Sequence, residues 1–166
     1  MQSPNSGARK WLLIVLPLFI AIIFLQSLFF KFSNSPETQY IFGTLDAWGA
    51  SLGFPGLFAR SGIFSQYVVG TAELVASCVL LAGVLLKRPL LLALGALLSL
   101  GVISGAIFFH LFTPLGVQVR NTDGTLDGGE LFTLACGVWI CSAVILYLHR
   151  EVLLGLARRA RGAAIA

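Results

Sequence analysis

The chain has 166 residues, of which 57% are hydrophobic and only 11% are charged, whereas water-soluble domains carry about 25% charged residues. This composition excludes a soluble globular domain and indicates an integral membrane protein whose transmembrane bundle is its one domain. The net charge of +4 does not indicate nucleic-acid binding, because most basic residues stand in short clusters beside hydrophobic segments, as in proteins oriented in a bilayer.

Four segments are long and apolar enough to cross a bilayer, whose hydrocarbon core of about 30 Å needs about 20 helical residues. In chain order they are residues 11–31, 63–86, 89–112 and 130–149. The first is expected to remain as an anchor, because its apolar stretch is too long for a signal and no small-residue cleavage site follows it. Only Lys87 and Arg88 separate the second span from the third, so these two form a tight antiparallel hairpin. The predicted fold is an all-α, up-down bundle of four transmembrane helices.

The basic residues predict the orientation of this bundle. Eight of the 11 lysines and arginines fall on the side that holds both termini, and three fall on the other side. Because cytoplasmic segments are enriched in Lys and Arg, we expect residues 1–10 and the basic tail 151–166 to be cytoplasmic, with residues 11–150 forming the bundle in the cell's inner (plasma) membrane. The tail is also basic enough to lie on anionic lipid, but a plain topology signal is the favoured explanation.

The first outer connection predicts a short amphipathic helix. Ser35 suits the N-cap, Pro36 the first helical position and Glu37 the positive end of the helix dipole. The apolar residues that then recur at helical spacing are Ile41, Leu45, Trp48 and Leu52. Gly53 offers a stop. This helix would lie on the outer membrane surface or lid the bundle, and a mobile loop is the alternative.

The second outer connection predicts a small hairpin. Val117 and Val119 alternate with polar residues before the turn signal Asp123-Gly124. Alternation followed by such a dipeptide is typical of two short strands joined by a tight turn.

Residues 119–130 of this connection also resemble part of a calcium-binding loop. Gly124 matches the central glycine, and acidic or amide side chains follow at ligand positions, but Val119 stands where the first ligand is required. The alternative is a polar turn in which Glu130 caps the fourth span. The sequence predicts no metal centre elsewhere, because His149 lies at the opposite membrane face from His110.

Glu73 is the feature of the spans that most needs an explanation. A carboxylate at this depth costs a few kcal/mol, so it is expected to be protonated, paired or facing a wet interior. Gln66, Gly70, Glu73 and Ser77 follow one another at helical spacing and give the second span a polar and small-residue face. We expect that face to point into the bundle.

Three further ionisable residues are expected at the same end of the bundle. Lys31 ends the first span, His110 lies near the outer end of the third, and Glu130 opens the fourth. With Glu73 they predict an outer-facing polar pocket that handles protons, Lys31 extending towards the carboxylate. The alternative is a set of charges that neutralise one another and fix the order of the helices.

Glycine spacing predicts where the helices approach closely. Gly101 and Gly105 form a G-x-x-x-G element on the third span, beside the face that carries His110, and Gly70 has a similar role on the second. Such elements let helix backbones approach each other within one chain or between chains. An oligomer is therefore compatible with the sequence.

Motifs of self-contained enzymes do not occur in the sequence. There is no phosphate-binding loop, dinucleotide fingerprint, G-x-S-x-G or H-E-x-x-H. Cys78, Cys136 and Cys141 lie inside spans without a C-x-x-C, which favours packing roles over redox roles. Catalytic residues are therefore not identified from the sequence.

Three short motifs, taken in order, resemble the DoxX-like family of small four-helix membrane proteins. They are FFKF at the end of the first span, GTAELVAS in the second and GGELFTLA at the start of the fourth, together with a histidine in the third. The resemblance runs from about Trp11 to Arg150 and implies a compact four-helix bundle. It also implies that a catalytic role would be that of a subunit in a quinone-linked oxidoreductase. It points to Gly70 and Glu73 first, and to Lys31 and Glu130 after them. The outer connections of this chain are longer than the simplest family pattern, so the resemblance does not imply a shared substrate.

The resemblance and the polar pocket together lead to three functional hypotheses. The first is a redox-associated membrane subunit that binds a quinone-like or small apolar molecule and takes electrons from a partner protein, because the sequence has no haem, flavin or iron–sulfur ligation. The second is a non-catalytic assembly factor or interaction partner in which Glu73 anchors helices. The third, a small-molecule transporter, has less support because inverted repeats and broken helices are not evident.

Overall fold

The computed structural model describes residues 5–121 and 123–163, and α-helices account for most of them. These helices are α1 (Asn5–Ser33), α2 (Pro36–Ser51), α3 (Gln66–Leu85), α4 (Pro89–Phe112), α5 (Glu130–Leu148) and α6 (Arg150–Ala163). Within the described ranges there is no β-strand. The prediction of an all-α fold is confirmed.

Four of these helices, α1, α3, α4 and α5, are long and apolar enough to cross a membrane. The four-span architecture is therefore confirmed. Helix α4 has the bounds that the sequence predicts, whereas α3 begins at Gln66 instead of residue 63, because the Ser65 side chain accepts a hydrogen bond from the Val68 N–H and caps the helix. Helix α1 extends back to Asn5, so part of the predicted N-terminal tail is helical.

The four spans surround one hydrophobic core. Helix α1 lies between α3 and α5, and α4 packs against the same two helices on the opposite side. The buried core residues are Ile20, Phe24, Ala76, Leu80, Leu92, Ala96, Ile103, Ala135, Val138 and Ile145. The outer surface of the spans is also apolar, as at Trp11, Ile22 and Phe29, which are more than half exposed. Such a surface is suited to contact with lipid hydrocarbon and not to contact with water.

Helices α3 and α4 approach most closely near the turn that joins them. A Cβ atom at Gly83 would lie 2.8 Å from the Leu92 nitrogen, and one at Gly95 would lie 2.8 Å from Leu80 Cγ. Real Cβ atoms do not approach their neighbours this closely, so glycine at both positions permits the contact. We call this end of the bundle, with the Lys87-Arg88 turn and α6, the turn end, and the opposite end the cap end.

The close contact predicted at Gly101 and Gly105 is wrong within the chain. Nothing lies within 4 Å of the position that a Cβ atom would take at either residue. The two glycines lie towards the cap end of α4, where this helix borders open space. Contact with a second chain through them stays a prediction.

The first connection forms the predicted helix and not a mobile loop. Ser35 accepts a hydrogen bond from the Thr38 N–H at 3.3 Å, and Pro36 occupies the first turn of α2. The helix ends at Ser51, shortly before Gly53, whose φ of +89° suits glycine. One face of α2 is buried, and residues 52–65 then lead back to α3.

A second, smaller core holds α2 over the bundle. Its buried residues are Leu45, Phe58, Leu115 and Val119, with Ile41, Phe42, Trp48, Leu57 and Phe109 packed around them. Trp48, Phe58 and Phe109 contact one another through their rings, and the Phe58 N–H donates to Asp46 Oδ1 at 3.0 Å. We call α2 together with residues 52–65 and 113–129 the cap. Helix α2 therefore lids the bundle.

The second connection folds back on itself without regular strands. Arg120 and Leu126 form an isolated antiparallel bridge, and the Asn121 N–H donates to the Thr125 carbonyl at 2.8 Å. Gly124 turns the chain with a φ of +85°. The predicted hairpin thus occurs as a single bridge around a turn at the predicted Asp123-Gly124 position.

Helix α6 follows α5 after a break at His149. The imidazole of His149 is buried, with Nδ1 2.9 Å from the Ile145 carbonyl oxygen, and α6 then packs near α4. The basic C-terminal tail is therefore helical from Arg150 to Ala163. Its position on a lipid surface stays a prediction.

Candidate functional site

Glu73 is paired with two side chains of α1. Lys31 Nζ lies 3.1 Å from Oε1 and 3.0 Å from Oε2, and the Ser27 hydroxyl donates to Oε2 at 2.7 Å. Glu73 is buried and Lys31 is mostly buried. The carboxylate therefore has a counter-ion and a hydroxyl donor, which is what an acid within a transmembrane helix requires.

The sequence brings this pair together because Lys31 and Ser27 are one turn apart on α1. Lys31 Nζ also donates to the Ser27 hydroxyl at 3.1 Å, so the three side chains form one closed cluster. Gly70, one turn before Glu73 on the same face of α3, leaves room for the aliphatic part of Lys31, whose Cδ would lie 3.5 Å from a Cβ there. Gly70 thus lines the path along which Lys31 reaches the acid.

Gln66 fixes the end of α1 beside this cluster. Its amide donates to the Lys31 carbonyl at 2.8 Å and to Asn34 Oδ1 at 3.0 Å. Asn34 has a φ of +53° and turns the chain away from α1 into α2. Helix α3 therefore binds Lys31 at two points, because Gln66 contacts its backbone and Glu73 contacts its side chain.

His110 lies in the same half of the bundle but does not touch the ion pair. It is 8% exposed, and its Nδ1 lies 2.7 Å from the Gly116 carbonyl oxygen. Because a carbonyl only accepts, Nδ1 carries the hydrogen of this bond. Nε2 has no hydrogen-bond partner among the described residues, and the ring packs edge-on against Phe132. Among the residues that the structure describes, this leaves one imidazole nitrogen available to a ligand.

Asp127, and not Glu130, caps the fourth span. Asp127 Oδ1 accepts from the Val119 and Gly129 N–H groups at 2.8 and 2.9 Å, and Oδ2 accepts from the Leu131 N–H at 3.2 Å. The prediction that Glu130 caps this helix is wrong. Gly129 has a left-handed backbone conformation just before Glu130, and the N–H groups of Gly129 and Leu131 bind the Asp127 carboxylate instead. Glu130 is exposed in the first turn of α5, and it forms no salt bridge with a described residue.

These hydrogen bonds set the acidity of the Asp127 carboxyl. Partial burial alone would raise the pKa of Asp127, but the three N–H donors outweigh it and bring the pKa below its ordinary value of 3.8. The nearby His110 acts in the same direction. Asp127 is therefore ionised at neutral pH and holds the cap to α5.

The acidic residues of the partial calcium loop hold the backbone of the loop. Asp123 Oδ1 accepts from the Thr125 N–H at 2.9 Å and from the Thr125 hydroxyl at 2.6 Å, which lowers the pKa of Asp123. In residues 5–121 and 123–163 no group of three or more His, Cys, Asp or Glu side chains is placed to hold a metal ion. The geometry of Asp123 and Asp127 is that of turn and cap residues.

A cavity of about 1,080 Å³ occupies the cap half of the bundle. Lys31, Glu73, His110 and Glu130 all line it, and residues of α2 form part of its wall. Most of the remaining lining is apolar, including Phe24, Leu45, Leu97, Ile103 and Phe109. The four ionisable residues singled out in the sequence thus border one space, in which only Lys31 and Glu73 contact each other.

Gly101 and Gly105 also line this cavity. Since no atom lies within 4 Å of a Cβ at either glycine, they enlarge the space between helices and do not close it. The three cysteines take no part in this site: Cys78, Cys136 and Cys141 are all free thiols.

Two features of the site were not identified from the sequence. The first is the role of Gln66 at the end of α1, and the second is the role of Asp127 as the cap. The sequence D-G-G just before a span is a signal for Asp127, because an aspartate can accept N–H groups two residues ahead of it. No sequence signal distinguishes the Gln66 contact from any other buried amide.

No family model matches the chain, and neither a curated protein nor a solved structure matches it. The DoxX-like resemblance therefore rests on the motifs GTAELVAS, FFKF and GGELFTLA alone. In the structure these motifs hold Lys31, Glu73 and Glu130, which border the same cavity, and Gly70, which lies beside Lys31 and does not line it.

Proposed function

We propose that this protein is a redox-associated membrane subunit that binds a quinone-like or other small apolar molecule in the cavity. The observation that carries the proposal is the cavity itself, with about 1,080 Å³ of space, a mainly apolar wall and a few polar groups. Ligand sites have volumes of roughly 300–1,000 Å³ and this same mixture of lining groups. The volume is large enough for an aromatic ring with substituents.

His110 is the group best placed to bind the polar atoms of such a ligand. The Lys31 ammonium is already engaged, because it donates to Glu73 Oε1 and to the Ser27 hydroxyl and forms an ion pair with Glu73 Oε2. His110 Nε2 has no hydrogen-bond partner among the described residues. A neutral imidazole would accept a hydrogen bond from a hydroquinone hydroxyl, and an imidazolium would donate one to a quinone carbonyl.

The proposed chemistry requires a partner. Reduction of a quinone to a hydroquinone takes two electrons and two protons, and the electrons would come from a donor protein that carries its own redox group. Within this chain, His110 and Glu73 would exchange the protons as the bound ring changes charge. The distribution of basic residues supports a cavity at the outer side of the inner membrane, with both termini in the cytoplasm.

One observation also favours the non-catalytic alternative. Every oxygen of Glu73 has a partner on α1, so the cluster would fix α1 against α3 even if the cavity bound nothing. In that case the protein would be an assembly factor or interaction partner. Replacing Glu73 with Gln separates the two functions, because Gln keeps a hydrogen-bonding group but cannot carry a proton.

Trp48 supplies a direct test of ligand binding. Its ring centroid lies 6.4 Å from that of Phe58 and 6.3 Å from that of Phe109, and both phenyl rings line the cavity. A water-soluble 1,4-benzoquinone, which quenches nearby indoles, is titrated into the purified protein while tryptophan fluorescence is recorded. We expect saturable quenching that is absent from a Trp48→Phe variant, in which Trp11 and Trp139 report non-specific collisions.

A cavity-filling variant completes this test. Gly105→Phe places a ring in the open space of the cavity, whereas Gly43→Phe makes the same change on an exposed part of α2 outside the cavity. Saturable quenching is expected to be lost with the first and kept with the second. Quenching that rises linearly, and equally in all variants, would rule out a site in the cavity.

A further inference from the structure

The α3–α4 pair is closely packed at the turn end and open at the cap end. Near the turn, Gly83 and Gly95 allow the backbones to approach each other. Beyond this contact, Gly101 and Gly105 face space with no atom within 4 Å of a Cβ position. Continuing the antiparallel register puts Gly105 about level with Gly70, so the opening lies at the depth of the ion pair.

A second, shallower cavity lies against the outer side of the same opening. It has a volume of about 460 Å³. Its lining residues are Tyr67, Val68, Thr71, Ala72, Val75 and Leu98. Three of them, Val68, Ala72 and Leu98, line the large cavity as well. The two spaces therefore share a wall, and that wall lies between two spanning helices.

The shared wall faces the region that hydrocarbon would occupy. Val68 is 49% exposed and Leu98 is 36% exposed, although both border the inner cavity. Both belong to helices that are long and apolar enough to span the membrane. Side chains that are exposed on the lipid side and also line an interior cavity mark a lateral opening.

The large cavity is elongated, and its polarity changes along its length. On α4 it extends from Leu94 to His110, which is about 24 Å at 1.5 Å per residue. The end near His110 also holds Lys31 and Glu130, whereas the end near Leu94 has only apolar side chains from α4. A molecule that is polar at one end and apolar along the rest matches this gradient.

We propose that the gap between α3 and α4 is a lateral entrance from the bilayer and that the ligand is an amphiphile with one hydrocarbon chain. Its polar ring or headgroup lies beside His110 and the Lys31–Glu73 pair, and its chain runs past Val68 and Leu98 into the membrane. The inference rests on the proposed function, because it assigns a chain and a route to the same ligand. An entrance in this wall keeps the hydrocarbon chain of the ligand in apolar surroundings throughout. The other end of the cavity is covered by the core of the cap.

Two probes distinguish the chain from the ring. One is a 1,4-benzoquinone with a ten-carbon alkyl chain, and the other is the same ring with a methyl group in place of the chain. Each is titrated into the full-length protein in lipid nanodiscs, with Trp48 fluorescence as the readout and concentrations expressed per lipid. The wild-type protein is expected to bind the chain-bearing quinone about tenfold more tightly than the methyl compound.

Variants at the opening then test the route. Thr71→Phe and Val75→Phe narrow it from α3, where both side chains are exposed and line the shallower cavity but not the large one. Gly43→Phe is the matched control, because Gly43 is an exposed helical glycine that lines neither cavity. We expect both opening variants to abolish the chain preference, to bind the methyl compound within about twofold of wild type, and to keep the thermal stability of the control.

The outcomes separate this inference from the function on which it rests. If the methyl compound binds and the chain preference survives in both Thr71→Phe and Val75→Phe, the lateral entrance is wrong and the binding site stands. If an opening variant weakens both probes equally, the chain does not use this gap, and the inference is again wrong. If neither probe binds the wild-type protein, the proposed function fails together with the inference.

Discussion

Glu73 can occupy a transmembrane helix because α1 presents a lysine and a serine to it. Removing one member of a buried ion pair leaves a charge without compensation, whereas replacing both with apolar groups of similar size is often close to neutral. The geometry around Glu73, with side chains 16% and 7% exposed for Lys31 and Glu73, belongs to this buried class. The contribution of the pair is therefore measurable only when both residues are changed.

We expect Lys31→Met to lower the free energy of unfolding by about 3 kcal/mol and the double variant Lys31→Met/Glu73→Leu to recover most of that loss. The reason is that the single change leaves a buried carboxylate, which the second change removes. Unfolding by denaturant is measured in detergent for the wild type, both single variants and the double variant. The four free energies of unfolding give the interaction energy between Lys31 and Glu73. Additive losses would show that Lys31 and Glu73 do not depend on each other.

Asp127 makes the stability of the cap depend on pH. Its pKa is lowered in the folded protein, so its contribution to stability is present above the unfolded value of 3.8 and is lost as the pH falls through the folded value. Asp127→Asn removes the charge at the start of α5 and is expected to cost about 1 kcal/mol at neutral pH. The variant should also lose less stability than wild type below pH 3.8. Melting temperatures across this range check both statements, and parallel curves for the two proteins would contradict them.

At the scale of the elements, the spans follow directly from hydropathy, and α2 follows from the Ser35-Pro36 start. The contacts between helices do not follow in the same way. A G-x-x-x-G spacing shows that no side chains cover this part of a helix backbone, but it does not show which helix packs against it. Here Gly101 and Gly105 face a cavity. The residue that accepts the first N–H groups of α5 could not be predicted either, because the positive φ values of Gly128 and Gly129 decide between Asp127 and Glu130.

The glycines of α4 should therefore respond in opposite ways to the same substitution. Gly95→Ala forces a Cβ to within 2.8 Å of Leu80 and is expected to destabilise the protein by about 1–3 kcal/mol. Gly105→Ala meets nothing within 4 Å and is expected to be neutral or to stabilise by up to about 1 kcal/mol, because alanine favours the helix. Thermal unfolding of the two variants in one detergent makes the comparison. Equal destabilisation would mean that the α3–α4 opening is closed in the solubilised protein, which would contradict the open geometry at Gly105.

At the scale of the whole molecule, the structure confirms four apolar spanning helices, and the orientation in the membrane is the next property to measure. With eight of 11 basic residues at the turn end, we expect both termini to be cytoplasmic. Reporter domains that are active only in the cytoplasm, fused after residue 166 or before residue 1, should both be active. A reporter inserted at Gly53 in the cap should be inactive, and the opposite pattern would place the cavity on the cytoplasmic side.

The cavity is the feature on which the functional account depends, and native mass spectrometry of protein released directly from its membrane tests it most directly. Wild type and the Gly43→Phe control are predicted to carry one small apolar molecule per chain, which dissociates on collisional activation and is identified by its mass. Gly105→Phe, with a ring in the cavity, is predicted to appear at its bare mass. Equal occupancy in all three proteins, or a wild-type protein that is always released bare, would contradict the account.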